Sequence, residues 1–415
     1  MMDFKHHILL AGLLFVGAVA FIAVRNWDTV STVVDNATAL NEGGTRASAI
    51  RSPADFADYL AAHPEQVSLV AFDVGASDPA LRLHADSVRA LAAVPRMLLL
   101  AEYVRQAASG RIDPERAVPV DSASAFALPG VTAPKGQAAD SLWWTPTGES
   151  LALRDIARRV AVRNDDVAAD WLWSTLGPQA VRTAPNRLGL PSSTAPQSTS
   201  GRYLAWTQPA SGADAENREL NDADLHRRLE AAAARSDEAH WARTTAMARR
   251  LQSDAAFRRQ VRDDLEVRGS RLSLRRQEAL TQATGPRGTA ADYAALAARI
   301  ATGRDHDGAP KPQMHTLLER TLTAGAPTDS SQFPFQVLAV QSGASPGVLS
   351  FAGYARRTDG RTRAIALFMD GLPYAVLYHL LQTGIDKGFV LQLLGDDAFF
   401  ERMKRRFDPL ARAPA

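Results

Sequence analysis

The stretch AVPRMLLLAEYVRQAASGRIDPERAVPV, residues 93–120, decides how the rest of the chain is read. Its apolar residues recur at helical spacing, and the run closes at Ser109-Gly110. This predicts a helix from about Ala90 to Ala108. Just upstream, VSLVAFDVG (67–75) is β-rich and ends in glycine, which predicts a strand. A hairpin partner is expected near ALRLHA (80–85), and SPADFADYLAAHPEQ (52–66) opens with a helix-start signature.

Downstream, residues 151–300 are patterned for helices. Leu151, Leu153, Ile156, Val160 and Val162 share one helical stripe, and VAADWLWSTLG ends a short apolar helix at Gly177. Residues 182–213 are rich in Pro, Ser, Thr and Gly and read as a long loop. A charged amphipathic region follows over 221–266, then GTAADYAALAARIATG, with a Thr start and a Gly stop. The C-terminal part returns to strands. GVLSFAGYARR (347–357) and TRAIALFMDGL (362–372) flank Thr358-Asp359-Gly360-Arg361, a hairpin signal. A helix pair is expected from about Pro373 to Phe407. Strands from both ends of the chain are expected to share one sheet.

Composition excludes several function classes. The 415 residues include no cysteine, which removes disulfides, thiolate metal sites and Cys nucleophiles. The charges nearly cancel, at a formal +2, and give no case for a nucleic-acid partner. A hydrophobic share of 46% is ample for a large core. The run ILLAGLLFVGAVAFIAV, Ile8 to Val24, carries no charge and sits between Lys5 and Arg25. As a helix it spans roughly 26 Å, against a hydrocarbon core of about 30 Å. One reading makes residues 1–27 an uncleaved membrane anchor. A second makes them a signal peptide cut after Ala18-Val19-Ala20, and a third a buried helix. The anchor is favoured because the apolar run continues past the cut. The first reading gives a single-pass protein of the cytoplasmic membrane with an extracytoplasmic domain; the second gives a secreted one. Residues 28–51 are polar and small, as in a linker.

In order, spacing and flanking apolar pattern, the chain resembles the class A β-lactamase and penicillin-binding-protein superfamily of serine hydrolases, over roughly residues 52–405. That superfamily joins a Ser-x-x-Lys helix start, a Ser-Asp-Asn loop and a Lys-Thr-Gly or Lys-Ser-Gly strand. ALAAVPRMLLLAEYVRQAASGRIDP looks like the nucleophile helix, LALRDIARRVAVRNDDVAADWLWSTLG like the Ser-Asp-Asn segment, and VQSGASPGVLSFAGYARRTDGRTRAIALFM like the strand and its hairpin partner. The resemblance implies an α/β (α+β) fold of β-lactamase/transpeptidase type. An antiparallel sheet from the N- and C-terminal segments would form one domain over 52–410, with an all-α subdomain, about 90–300, inserted.

Carried over position by position, the nucleophile falls on Ala93 and the motif lysine on Arg96. Ser-Asp-Asn falls on Asn164-Asp165-Asp166, and Lys-Ser-Gly on Gln341-Ser342-Gly343. Only Asp165, Ser342 and Gly343 agree with the superfamily. Acylation needs an attacking oxygen, and Ala93 offers a methyl group. Arg96 stays protonated and cannot be a base. The Asn164 amide cannot shuttle a proton, and Gln341 brings no charge for a substrate carboxylate. Asp166 adds a negative charge, which is expected to repel an anionic ligand or to pair with Arg96. No Ser-x-x-Lys exists anywhere in the chain, and no Asp or Glu occurs from Trp171 to Ala213, where the deacylating base belongs. Backbone N–H groups at Ala93 and Ala344 remain as donors for a carbonyl.

Other signals are weaker. Gly343-Ala-Ser-Pro-Gly347 matches Gly-x-Ser-x-Gly, but Pro346 has no N–H to donate at the oxyanion position. Asp305, His306 and Asp307 in GRDHDG read as a solvated turn, and His226 and His240 as surface residues. The Arg-rich run 243–276 reads as a solvated face, with anionic lipid as the other reading. Trp143, Trp144, Trp171 and Trp173 suit either a cleft wall or the core. No metal site or cofactor is expected.

Three functions follow from the residues. The first is an inactive homologue that binds a cell-envelope peptide or protein. The second is an active hydrolase with a non-standard nucleophile such as Ser87. The third is a structural envelope protein. Oligomeric state is left open.

Overall fold

Alternating apolar residues sort the two faces of one sheet. In β1 (Val67–Asp73), Val67, Leu69 and Ala71 face one core and Val70 the other. That is the pattern of a strand covered on both sides. The computed structural model describes residues 35–76, 80–133, 148–208, 227, 230–270, 272–303 and 335–411. Its other strands are β2 (Leu81–Leu83), β3 (Arg89–Ala90), β4 (Ala117–Pro119), β5 (Ser150–Ala152), β6 (Arg287–Gly288), β7 (Phe335–Ser345), β8 (Val348–Arg357) and β9 (Thr362–Met369). Five form an antiparallel sheet in the order β2-β1-β9-β8-β7. The expected union of the two chain ends is met where Val67 pairs with Met369.

Helices cover both faces. From the N-terminal side come α1 (Gly44–Ala49) and α2 (Pro53–Ala62), the latter capped by Ser52 accepting from the Asp55 N–H. The inserted helical region holds α3 (Arg96–Ala108), α4 (Leu153–Arg163), α5 (Asp166–Leu176) and α6 (Thr199–Thr207). It continues with α7 (Asp237–Ser253), α8 (Ala255–Arg268), α9 (Leu274–Thr284) and α10 (Ala290–Thr302). The last of these is capped by Thr289 and stopped by Gly303 at φ 68°, as the sequence predicts. Helices α11 (Tyr374–Thr383), α12 (Ile385–Gly395) and α13 (Asp397–Ala411) close the chain. Val376, Leu377, Leu380, Phe389 and Phe407 join α1 and α2 in one core. The helical region and α10 fill the other.

Several expectations need correction. The helix expected from about Ala90 is α3, which starts at Arg96, after Pro95, and residues 89–90 instead form β3, paired with β6. Residues 182–213 are not one loop. They hold a short helix, Ala184–Arg187, and α6, whose Tyr203, Leu204 and Trp206 are buried; Ser198 caps α6. The density of Ser, Thr and Pro hid an apolar helix face. The C-terminal pair is three helices, interrupted at Gly384 (φ 68°) and at Asp396. His240 is buried rather than on the surface. It shares a stripe with Trp241, Thr244, Met247, Ala248 and Leu251, so the charges of α7 occupy only its outer side. Burial pushes His240 down to about 4, so it is neutral at pH 7. Trp171 and Trp173 belong to the core, with Trp173 5.7 Å from Trp241. Trp143, Trp144, His226, the 304–308 turn and the apolar run 8–24 lie outside the described residues. Among the described residues no helix is long and apolar enough to cross a membrane.

Two buried charges have opposite situations. Arg363 on β9 is fully engaged: Nε donates to Asp73 at 2.6 Å, Nη1 to the Leu393 carbonyl at 2.9 Å and Nη2 to Asp397 at 3.0 Å. Its guanidinium also lies 3.8 Å from the Phe400 ring centre. Asp386, at the start of α12, is 1% exposed and both carboxylate oxygens lack a hydrogen bond. Burial pushes it from 3.8 up to about 6, although nearby Lys387 pulls the other way. The folded value lies above the unfolded one. Stability therefore falls as pH rises from about 4 to 6 and levels off beyond, a loss of roughly 3 kcal/mol at most. Asp386→Asn is expected to be more stable than the parent above pH 6 and to show a flatter profile between pH 4 and 6. Urea melts across that range check it; an unchanged slope contradicts the assignment.

Candidate functional site

The positions singled out in the sequence meet where α3, the α4–α5 junction and the end of β7 converge. Ala93, Arg96, Asn164, Asp166, Gly343 and Ala344 line one cleft of about 320 Å³. Gly343 explains how the strand comes so close. A Cβ added there would lie 2.3 Å from the Ala93 nitrogen and 2.6 Å from its Cβ. Ser350 on β8 clasps the same junction, accepting from the Ala92 N–H at 3.4 Å and donating to the Gly343 carbonyl at 3.5 Å. The Ala93 N–H has no hydrogen-bond partner among the described residues. Ala344 follows on β7 and is exposed.

Arg96 reaches across from the first turn of α3. Its Nη1 donates to the Asn164 carbonyl at 2.6 Å, and its Nη2 donates to Asp166. The pairing expected from the two opposite charge changes is therefore present. Asn164 sits at φ 50°, a left-handed conformation that asparagine tolerates better than most residues. Its Nδ2 donates to the Ser342 carbonyl at 2.8 Å and ties α4 to β7, while its Oδ1 is buried without a partner. Asp165 caps α5 through the Ala168 N–H and accepts from Arg159 Nε at 2.9 Å. Gln341 does not line the cleft. Its Nε2 donates to the Ala161 carbonyl at 2.7 Å, so the side chain serves as a second tie between β7 and α4. Ser342 does not line the cleft either; its carbonyl accepts from Asn164 Nδ2.

The opposite wall comes from a segment the sequence did not mark as functional. Thr199, Arg202, Tyr203 and Trp206 on α6, and Gln277 and Thr281 on α9, face Ala93 and Arg96 across the cleft. Thr199 Oγ1 donates to Asp166 at 3.2 Å. The Arg202 guanidinium carbon lies 5.2 Å from the Trp206 ring centre, and its Nε is buried without a hydrogen bond. Asp170 on α5 holds this wall in place. It accepts from the Thr199 N–H at 2.6 Å and the Ser200 N–H at 2.7 Å, so it fixes the first turn of α6. Burial pushes Asp170 up to about 6, against these hydrogen bonds, and the Asp166 charge adds to the rise. Only the cap at Ser198 and the Tyr-Leu-Ala-Trp run could have flagged α6 in the sequence.

The hydroxyls divide clearly. Ser345 lines the cleft and its Oγ is buried without a partner. Ser87 is exposed and lies outside the cleft lining. Among the lining residues there is no His, Lys or Glu, and the one Asp is engaged by Arg96 and Thr199.

Three structures of similar architecture are β-lactamases. One from Chitinophaga pinensis is 13% identical, with 87% of this chain and 99% of that chain covered and a TM-score of 0.47. One from Sphaerobacter thermophilus is 16% identical, covering 82% and 96%, at 0.49. One from Burkholderia vietnamiensis is 15% identical, covering 81% and 96%, at 0.47. A comparison with curated proteins finds no match. The family model described as the β-lactamase enzyme family matches residues 53–375. That span takes in α3, the α4–α5 junction and β7 to β9, the elements that close the cleft, and over it the chain belongs to the β-lactamase enzyme family.

Proposed function

We propose that this chain is an exported, membrane-tethered member of the family that has lost acyl-transfer chemistry and holds a cell-envelope peptide or protein in its cleft. The observation that carries this reading is the Arg96–Asp166 pair beside Ala93. A methyl group stands at the position assigned to the nucleophile, and a permanently charged guanidinium stands at the position assigned to its base. The cleft keeps binding groups without reactive ones. The Ala93 N–H is unpartnered among the described residues and can donate; Arg202 Nε, Asn164 Oδ1 and Ser345 Oγ are also unpartnered there but buried, so a ligand meets them only when those side chains turn. A peptide backbone offers both complements. Export rests on the uncharged run from Ile8 to Val24.

Incubation with a fluorescent penicillin is expected to leave no label after denaturation. A label that survives and maps to a single hydroxyl, Ser345 or Ser87, establishes the active-hydrolase reading instead. Ser345 is a poor nucleophile on geometry, because the one carboxylate lining its cleft, Asp166, is engaged by Arg96 and Thr199, and Pro346 follows it.

A further inference from the structure

Five large apolar side chains are strongly exposed among the described residues: Leu40, Val88, Val267, Tyr378 and Leu381. Three of them, Leu40, Tyr378 and Leu381, line one shallow groove of about 230 Å³ with Leu274, Pro346 and Leu377. Isolated exposed apolar residues need no explanation, but a cluster does. The groove lies between helical residues 35–41, α9, α11 and the β7–β8 turn. On α11 the groove-lining residues follow helical spacing: Tyr374 and Leu377, which are buried, form one stripe with Tyr378 and Leu381, which are exposed. A helix with Leu and Tyr on its open side suits the boundary between water and lipid, where an aromatic ring with a polar tip is favoured.

The sequence says what lies near this groove. The uncharged run ends at Val24, and Leu40 is in the first described helix. Residues 25–34 separate that run from the described chain. Fully extended, they reach at most about 35 Å. A bilayer holding the run is therefore never far from Leu40. We infer that Leu40, Tyr378 and Leu381 rest on the lipid surface, so that the domain is held in one orientation as well as tethered. This rests on the proposed tethering. It has a consequence for the cleft, because Ala344, Ser345 and Pro346 form a wall common to cleft and groove. The cleft would open beside the lipid headgroups, and its ligand would be a membrane-proximal one.

The natural chain has no cysteine, so single labels are clean. Full-length Val16→Cys, Leu381→Cys and Val267→Cys would each carry an environment-sensitive fluorophore in nanodiscs of phosphatidylethanolamine and phosphatidylglycerol. Nitroxide lipids, labelled near the headgroup or deep in the acyl chain, supply the quenchers. The label at 381 is expected to lose emission severalfold, more with the shallow nitroxide. The label at 16 should lose more with the deep one, and the label at 267 should be unaffected. If 16 is quenched and 381 behaves like 267, the tether stands and the orientation is overturned. If 381 is shielded from aqueous iodide yet blind to both nitroxides, a protein covers the groove and the orientation is again overturned. If 16 is not quenched, the tethering itself fails and the inference fails with it.

Discussion

Gly343→Ala is expected to destabilise the domain by about 3 kcal/mol, at the upper end of the cost of overpacking. The new methyl meets backbone, the Ala93 nitrogen at 2.3 Å, so no flexible side chain can yield. Relief requires β7 to move away from residues 92–93, which breaks the clasp made by Ser350 and the tie from Asn164 to the Ser342 carbonyl. Gly360→Ala is the control. Its φ of +85° carries strain, but nothing lies within 4 Å of the added methyl. It is expected to cost about 1 kcal/mol. Urea midpoints of the two variants decide the matter. Equal losses would mean that the close approach at Ala93 is unimportant.

Arg363→Ala is expected to cost about 3 kcal/mol, the lower end of the range for breaking a buried ion pair. The lower end applies because Asp397 is not stranded: Arg357 donates to it at 2.6 Å and Arg361 at 2.7 Å. Asp73 and the Leu393 carbonyl are left without the guanidinium, and the Phe400 ring loses its stacking partner. Arg363→Met restores packing but not the pairing, so it should recover part of the loss; adding Asp73→Asn should recover more. Equilibrium unfolding of the series checks the order. If Met does no better than Ala, packing on Phe400 is not part of the effect.

The sheet was legible because its strands are short β-rich apolar runs bounded by glycine and its hairpin carries Asp359-Gly360. The start and stop of α10 were legible because Thr289 and Gly303 are local signals. The Arg96–Asp166 pair could be anticipated because two substitutions of opposite sign fall on motifs that meet. What stayed hidden depends on distant packing. Composition marks Thr199–Thr207 as loop-like, yet the helix is fixed by Asp170, about 30 residues earlier, and by burial against α7. His240 looks polar in a charged segment, and only the docking of α7 reveals which stripe is covered. Gln341 reads as a weak substitute for a charged group, whereas its amide is already used on α4. The opposite wall of the cleft could not be read at all, since no rule of spacing connects Arg202 or Gln277 to Ala93.

The pairing of Val67 with Met369 also governs how such a chain can come into being. The two residues are about 300 positions apart, so β1 leaves the ribosome long before its neighbour is made. Until β9 arrives, an apolar strand with only the short β2 beside it keeps one edge open and has to be kept from other chains. The final third of synthesis therefore sets when the sheet can close. A nascent chain stalled before Thr362 should stay sensitive to protease throughout its first strand, however complete its helices are.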